Sequence, residues 1–238
     1  MRYLFLLIIV LCSPIYFEND KSDWIYIFDG KSFDGWHQYN SDVIGNQWSI
    51  DNGELIFRNN KENKQDLVTE EEFENFELSI EWNISKGGNS GIFYGVKEFP
   101  ELDEAYKSGP EIQVLDNENF FTATKLHRSP SLYDLVGPDN SNVKVNPHGE
   151  WNHLLLKIDH KNNLGTVVMN GQFAFSYPLY GPEWDKLVSK SKFRYKDYYV
   201  NRGTNNEFLA FGSFKSGKIG LQDHGSDVKF RNIKIKKL

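Results

Sequence analysis

The strongest case for acid–base chemistry in this 238-residue chain is the segment Glu111-Ile112-Gln113-Val114-Leu115-Asp116. Side chains alternate between the faces of a strand, so Glu111, Gln113 and Leu115 share one face and Asp116 points to the other. A one-residue bulge after Gln113 would return Asp116 to the face of Glu111. Carboxylate, amide and carboxylate on one face suit a solvent-filled binding surface, because Glu and Asp are seldom found in a core. The plainer reading is an outward polar face on an edge strand.

Just upstream, Gly87-Gly88-Asn89-Ser90-Gly91-Ile92-Phe93-Tyr94-Gly95 sets glycines around a polar pair and then an aromatic strand. Glycine lets a backbone approach a ligand closely. The segment lacks the Lys-Ser/Thr ending of a phosphate loop, and a tight turn explains it equally well. Six histidines are present, but none has zinc-site spacing, and the one cysteine, Cys12, is far upstream. His127, with Tyr133-Asp134 six residues on, and His224, after Gln222-Asp223, are the two that could act on a substrate. Each alone is as readily a hydrogen-bonded surface histidine. His37, His148 and His160 read as solvated. No cofactor is called for, and a divalent metal is left open.

The elements that must carry these groups are strands. Six Trp, 12 Tyr and 18 Phe against two Met favour pleated, half-buried surfaces. Phe76, Leu78, Ile80, Trp82 and Ile84 alternate with polar residues at period two. Further strands are expected at Trp24–Phe28, Gln47–Ile50, Glu54–Arg58, Ser90–Val96, Glu111–Asp116, Trp151–Asp159, Thr166–Met169, Gln172–Tyr177 and Lys218–Gln222. Asn170-Gly171 predicts a hairpin turn, since both residues tolerate positive φ. In the last strand the apolar parity slips at Arg231-Asn232, which predicts a bulge. One helix is expected, from Pro182 to about Lys192, and a long loop from Tyr195 to Asn206. Many short strands and almost no helix predict an all-β sandwich or jelly roll of antiparallel sheets, one domain over 24–238.

Net charge is −6, which argues against a nucleic-acid partner. The N-terminus carries Arg2 and then an apolar run, Tyr3 to Leu11, ending at Cys12-Ser13-Pro14. That run is shorter than the roughly 20 residues a bilayer span needs. It matches an export signal over 1–12, with 13–23 as a tether, and Cys12 stands where a bacterial lipoprotein is cleaved and lipidated. The protein is therefore expected to be exported, as a periplasmic or outer-membrane lipoprotein or otherwise secreted, touching membrane only through such an anchor. Oligomeric state is left open.

The ordered series Phe28-Asp29-Gly30-Lys31-Ser32-Phe33-Asp34-Gly35-Trp36, Asp51-Asn52-Gly53-Glu54-Leu55, Phe76–Trp82, Gly88–Phe93, Glu111–Asp116, Tyr133-Asp134, Gly149–Asn152 and Ile219–Gly225 through Ile233 resembles the 3-keto-disaccharide hydrolase family. No single motif is specific, but their order is. Ser129-Pro130-Ser131 stands where that family more often has a small Ala-Gly pair. The resemblance implies a concanavalin A-like jelly roll and a small oxidised saccharide, with a ketone at C3 of the sugar, as substrate. Such a ketone acidifies the C2 proton and leaves the glycosidic oxygen β to the carbanion. Elimination followed by addition of water is then net hydrolysis.

That route needs a base, for which Glu111 or His127 are the candidates, and an acid or supporting group, for which Asp116 or His224 are. It also needs donors at the enolate oxygen, among Asn89, Gln113 and Arg231. Tyr94, Tyr133, Tyr106 and Trp36 could stack on a sugar face, although aromatics at such spacings are more often core. Two other functions fit the same residues. One is a laminarinase-type glycoside hydrolase, in which Glu111 and Asp116 act as nucleophile and acid/base about 5–5.5 Å apart. The other is a lectin-like module without chemistry. For the N-terminus, lipidation at Cys12 has a direct test: Cys12→Ala should move the protein from the membrane fraction to the soluble exported fraction. Unchanged fractionation would contradict an anchor and leave simple secretion.

Overall fold

The computed structural model describes residues 23–60, 66–100, 102–122, 124–138, 143–194 and 211–238. The export reading, Cys12 and the loop expected at Tyr195–Asn206 lie outside the described residues. In chain order the elements are β1 (Ile25–Tyr26), β2 (Trp36–Gln38), β3 (Trp48–Asp51), β4 (Glu54–Phe57), β5 (Leu67–Thr69), β6 (Phe76–Ile84), β7 (Asn89–Val96), β8 (Glu111–Leu115), β9 (Asn152–Asp159), β10 (Leu164–Met169), β11 (Gln172–Tyr177), α1 (Pro182–Val188), β12 (Lys218–Leu221) and β13 (Val228–Lys237). One sheet runs β11-β10-β9-β6-β13-β4-β3, with β1 added on β13; the other runs β2-β5-β12-β7-β8. Neighbouring strands are antiparallel, so the all-β, two-sheet jelly-roll sandwich is what the chain forms.

The sheets press their apolar faces together. From β6 come Leu78, Ile80 and Trp82, and from β7, β8 and β12 come Ile92, Tyr94, Ile112, Val114, Ile219 and Leu221, all in one buried cluster. Alternation then fixes what the five-stranded sheet shows on its other face: Val68 and Phe93 in a small second cluster with Leu102 and Ala105, and beside it Asn89, Gly91, Glu111 and Gln113. Leu102 and the 3₁₀ turn at Ala105–Lys107 lie over that outer face and cover its apolar end.

Several expectations are met closely, including the full span Phe76–Ile84 and the turn at Asn170-Gly171, where both residues have positive φ. The parity slip in β13 is real: its pairing with β6 shifts between Arg231 and Lys234, with Asn232 at φ 52°. The helix stops at Val188, and Lys192 begins a separate 3₁₀ turn. The bulge expected after Gln113 is absent. The pairing of β7 with β8 runs without a break from Phe93 opposite Glu111 to Asn89 opposite Leu115. The irregularity lies instead between β7 and β12, where Gly95 has φ 66° and a Cβ on Gly217 would strike the Gly95 backbone.

Candidate active site

On the outer face of β7 and β8 lies a polar cavity of about 140 Å³, lined by Asn89, Tyr106, Glu111, Gln113, Tyr133, Lys192, Gln222 and His224. Glu111 opens β8, and its side chain lies across β7 at Gly91. A Cβ at Gly91 would collide with the Glu111 carboxyl, so glycine there is what lets the carboxyl lie flat on the sheet. The glycine reserved in the sequence for a ligand's approach thus seats a catalytic candidate.

Glu111 is buried, at 7% exposure. Burial pushes its pKa up to about 8, against the pull of Lys192 and with a further push from the buried Asp66. Lys192 holds its ammonium 4.4 Å from the Tyr133 ring centre and 5.2 Å from that of Tyr106, so two aromatic faces carry the cation to the cavity. Gln113 Nε2 donates to Asn89 Oδ1 at 2.6 Å, and Asn89 Nδ2 meets His224 Nε2 at 3.4 Å. The side-chain amide oxygens of Gln113 and Gln222 are buried and have no donor among the described residues. Hydroxyl groups of a ligand can satisfy them, which a sugar supplies in number.

The structure therefore brings Glu111, Asn89, Gln113, Tyr133 and His224 together. His127 stands one layer back. Its ring stacks on Tyr133 with centres 4.8 Å apart, and its Nε2 lies 2.8 Å from Asp134 Oδ1. The other Asp134 oxygen accepts the Lys192 backbone N–H at 2.6 Å, so His127 and Asp134 brace the wall that carries Tyr133 and Lys192.

Four expected residues lie elsewhere. Trp36, read as a possible stacking surface, is buried in the core between the sheets. Asp116 follows the unbulged β8, and its carboxylate accepts the backbone N–H groups of Gly87, Glu118 and Asn119 and the Asn119 amide. Burial alone would raise its pKa, but these bonds outweigh it and hold the carboxyl below its ordinary value. Tyr94 faces the core, with its ring 6.5 Å from that of Tyr177. Arg231 belongs to the eight-stranded sheet, where it pairs with Glu81 at 2.7 Å and stacks 3.8 Å over Trp151. Among the histidines read as solvated, His37 is held between Glu70 and Glu98, each at 2.9 Å, and His160 is buried. Lys192 and Gln222 were not foreseen as site residues. Lys192 follows a helix with no local motif, and Gln222 stands at a strand end whose direction only the sheet fixes.

The family described as 3-keto-alpha-glucoside-1,2-lyase-like domain matches residues 23–236. The chain belongs to this family. A 3-keto-disaccharide hydrolase of Bacteroides thetaiotaomicron is 38% identical over 240 residues, covering 92% of this chain and 80% of that protein. A solved structure from Parabacteroides distasonis, assigned as a glycosyl hydrolase, has a TM-score of 0.75 at 27% identity and covers 90% of this chain and 94% of its own. A second from the same organism, with the same assignment, gives 0.63 at 25% identity over 90% and 99%. The family member described here is thus an enzyme that cleaves glycosidic bonds, and the resemblance read from its ordered motifs holds.

The buried carboxyl has a consequence for stability. The unfolded chain releases the Glu111 proton near the ordinary value of 4.5, whereas the folded protein keeps it up to about 8. Stability from this group is complete below pH 4.5 and is lost as pH rises through about 8. Glu111→Gln, which cannot ionise, should therefore gain thermal stability relative to the parent between pH 5 and pH 8.5. Parallel melting midpoints over that range would show that Glu111 ionises as an ordinary surface carboxyl.

Proposed function

We propose that this enzyme cleaves glycosides whose sugar ring carries a ketone at C3, by proton removal at C2, β-elimination and rehydration, with Glu111 as the base. The observation that carries this reading is that, among the described residues lining the cavity, Glu111 is the one carboxyl, and its pKa is raised to about 8. Direct displacement with retention needs two carboxyls about 5–5.5 Å apart at the reacting carbon. Asp116, the partner that such a mechanism would require, is committed to the Gly87 turn. A single base with its pKa near neutrality is instead what proton abstraction next to a ketone asks for.

The electrons can be followed through the site. Glu111 takes the C2 proton, and the C–H electron pair becomes the C2–C3 double bond of an enolate. The ammonium of Lys192, in the cavity wall over the Tyr133 ring, can offset charge on the C3 oxygen. Collapse of the enolate forms the C1–C2 double bond and expels the glycosidic oxygen, which takes a proton from a donor at the cavity rim. His224, exposed there and held against Asn89, is placed to give it. Water then adds at C1 and its spare proton returns to His224, while C2 recovers a proton from Glu111 once that carboxyl has exchanged its proton with solvent. Gln113 and Gln222 receive ring hydroxyls meanwhile. The apolar run before Cys12 supports action outside the cytoplasm.

Elimination requires C2 to lose its hydrogen and regain one from solvent, whereas displacement at C1 leaves C2 untouched. Reaction of a 3-keto-glucoside in heavy water should place deuterium at C2 of the released 3-keto sugar, above the level in authentic product incubated without enzyme. Deuterium at that background level would overturn the elimination and favour displacement.

A further inference from the structure

Asp66 is not in the cavity wall, yet it is the residue from which two parts of that wall hang. It directly precedes β5, where its own carbonyl accepts the Tyr39 N–H at 2.8 Å. Its side chain is buried at 6% exposure, and its two oxygens serve different segments. Oδ2 accepts the N–H of Ala105 at 3.1 Å, and Oδ1 accepts the N–H of Asp223 at 2.9 Å. Ala105 opens the 3₁₀ turn that presents Tyr106, and the residue before it, Glu104, makes no side-chain cap. Asp223 stands between Gln222 and His224, both in the cavity lining. Ala105 is fully buried and Asp223 is 4% exposed, so water is a poor substitute for either bond.

We infer that Asp66 is the positioning residue of this active site, a single carboxylate that ties the Tyr106 wall and the Gln222–His224 edge to the start of β5. The inference rests on the proposed role of Glu111 as base and adds a second function, because Asp66 also bears on that base. The charged groups facing Asp66 are Asp223, Glu104 and Glu111, with the Tyr39 hydroxyl nearby, and those facing Glu111 are Lys192, Asp66 and Tyr133. Burial above all pushes the Asp66 pKa up to about 7; the two N–H groups pull it down and the neighbouring acids push it up. The carboxylate therefore carries its charge at the pH where Glu111 ionises. A carboxylate can accept from both N–H groups at once. An asparagine offers one acceptor and would turn an amide donor against the other N–H. The same charge, next to Glu111, raises the basicity of the group that removes the proton.

Two variants separate position from charge. Asp66→Asn should raise KM roughly tenfold, the scale for losing one hydrogen bond to a charged acceptor, and should move the ascending limb of kcat/KM to lower pH. Asp66→Glu keeps the charge but displaces the oxygens, so KM should rise while the limb stays in place; it also serves if the Asn variant does not fold. A ¹³C NMR titration of the Glu111 carboxyl in protein without substrate should show the same downward movement in Asp66→Asn. An unmoved Glu111 titration in that variant, or an unchanged KM in both, would overturn the inference. If the parent enzyme fails to turn over any 3-keto-glycoside, the functional reading falls, and the NMR titration still decides whether Asp66 acts on Glu111.

Discussion

A carboxyl held out of water on the outer face of a β-sheet is the constraint to which the rest of the site answers. Charged carboxylates are costly to bury, and burial is the largest influence on the Glu111 carboxyl. It is tolerated because Gly91 leaves room on the sheet, because Lys192 stands across the cavity, and because the proton is kept to about pH 8. Each of these supports comes from a different element. Gly91 is on β7, Lys192 is in the turn after α1, and Asp66, which pushes in the opposite direction, precedes β5. What is unfavourable for folding above neutral pH is useful for catalysis, since a weakly acidic carboxyl is a stronger base when ionised.

The two sheets divide the labour. The eight-stranded sheet supplies the apolar face against which the five-stranded sheet packs, and it carries polar pairs such as Arg231 with Glu81 and Lys229 with Glu54. The five-stranded sheet turns its polar face away from that core, and irregular segments close around it. Asp134 and Asp66 fasten those segments by accepting backbone N–H groups, Asp134 from Lys192 and Asp66 from Ala105 and Asp223. Cavity residues on loops are thereby held by bonds to buried or half-buried carboxylates as well as by backbone bonds to the sheet, Gln222 to Gly91 and Tyr133 to Glu111.

The long strands were legible in the sequence because period-two alternation is a local property, and Phe76–Ile84 and the Asn170-Gly171 hairpin emerged as read. β2 and β5, three residues each, were missed, since strands that short exist by virtue of their neighbours. The site was partly legible for the same reason. Glu111 and Gln113 were found because they share a strand face, and that parity held without the postulated bulge. Asp116, Tyr94 and Arg231 were placed differently because the face a residue presents depends on register and on which sheet the strand joins. Lys192 and Asp66 carry no motif at all, and only the folded chain brings them to Glu111.

The central claim is that Glu111 is the base and acts with a pKa set by its burial. It is tested most directly by the pH dependence of kcat/KM on a 3-keto-glucoside in the parent enzyme and in Glu111→Gln. The parent should show an ascending limb centred near pH 8, and the variant should lose that limb together with roughly 10²- to 10⁴-fold of the rate. A limb that persists in Glu111→Gln, or one centred in the ordinary carboxylate range in the parent, would contradict it.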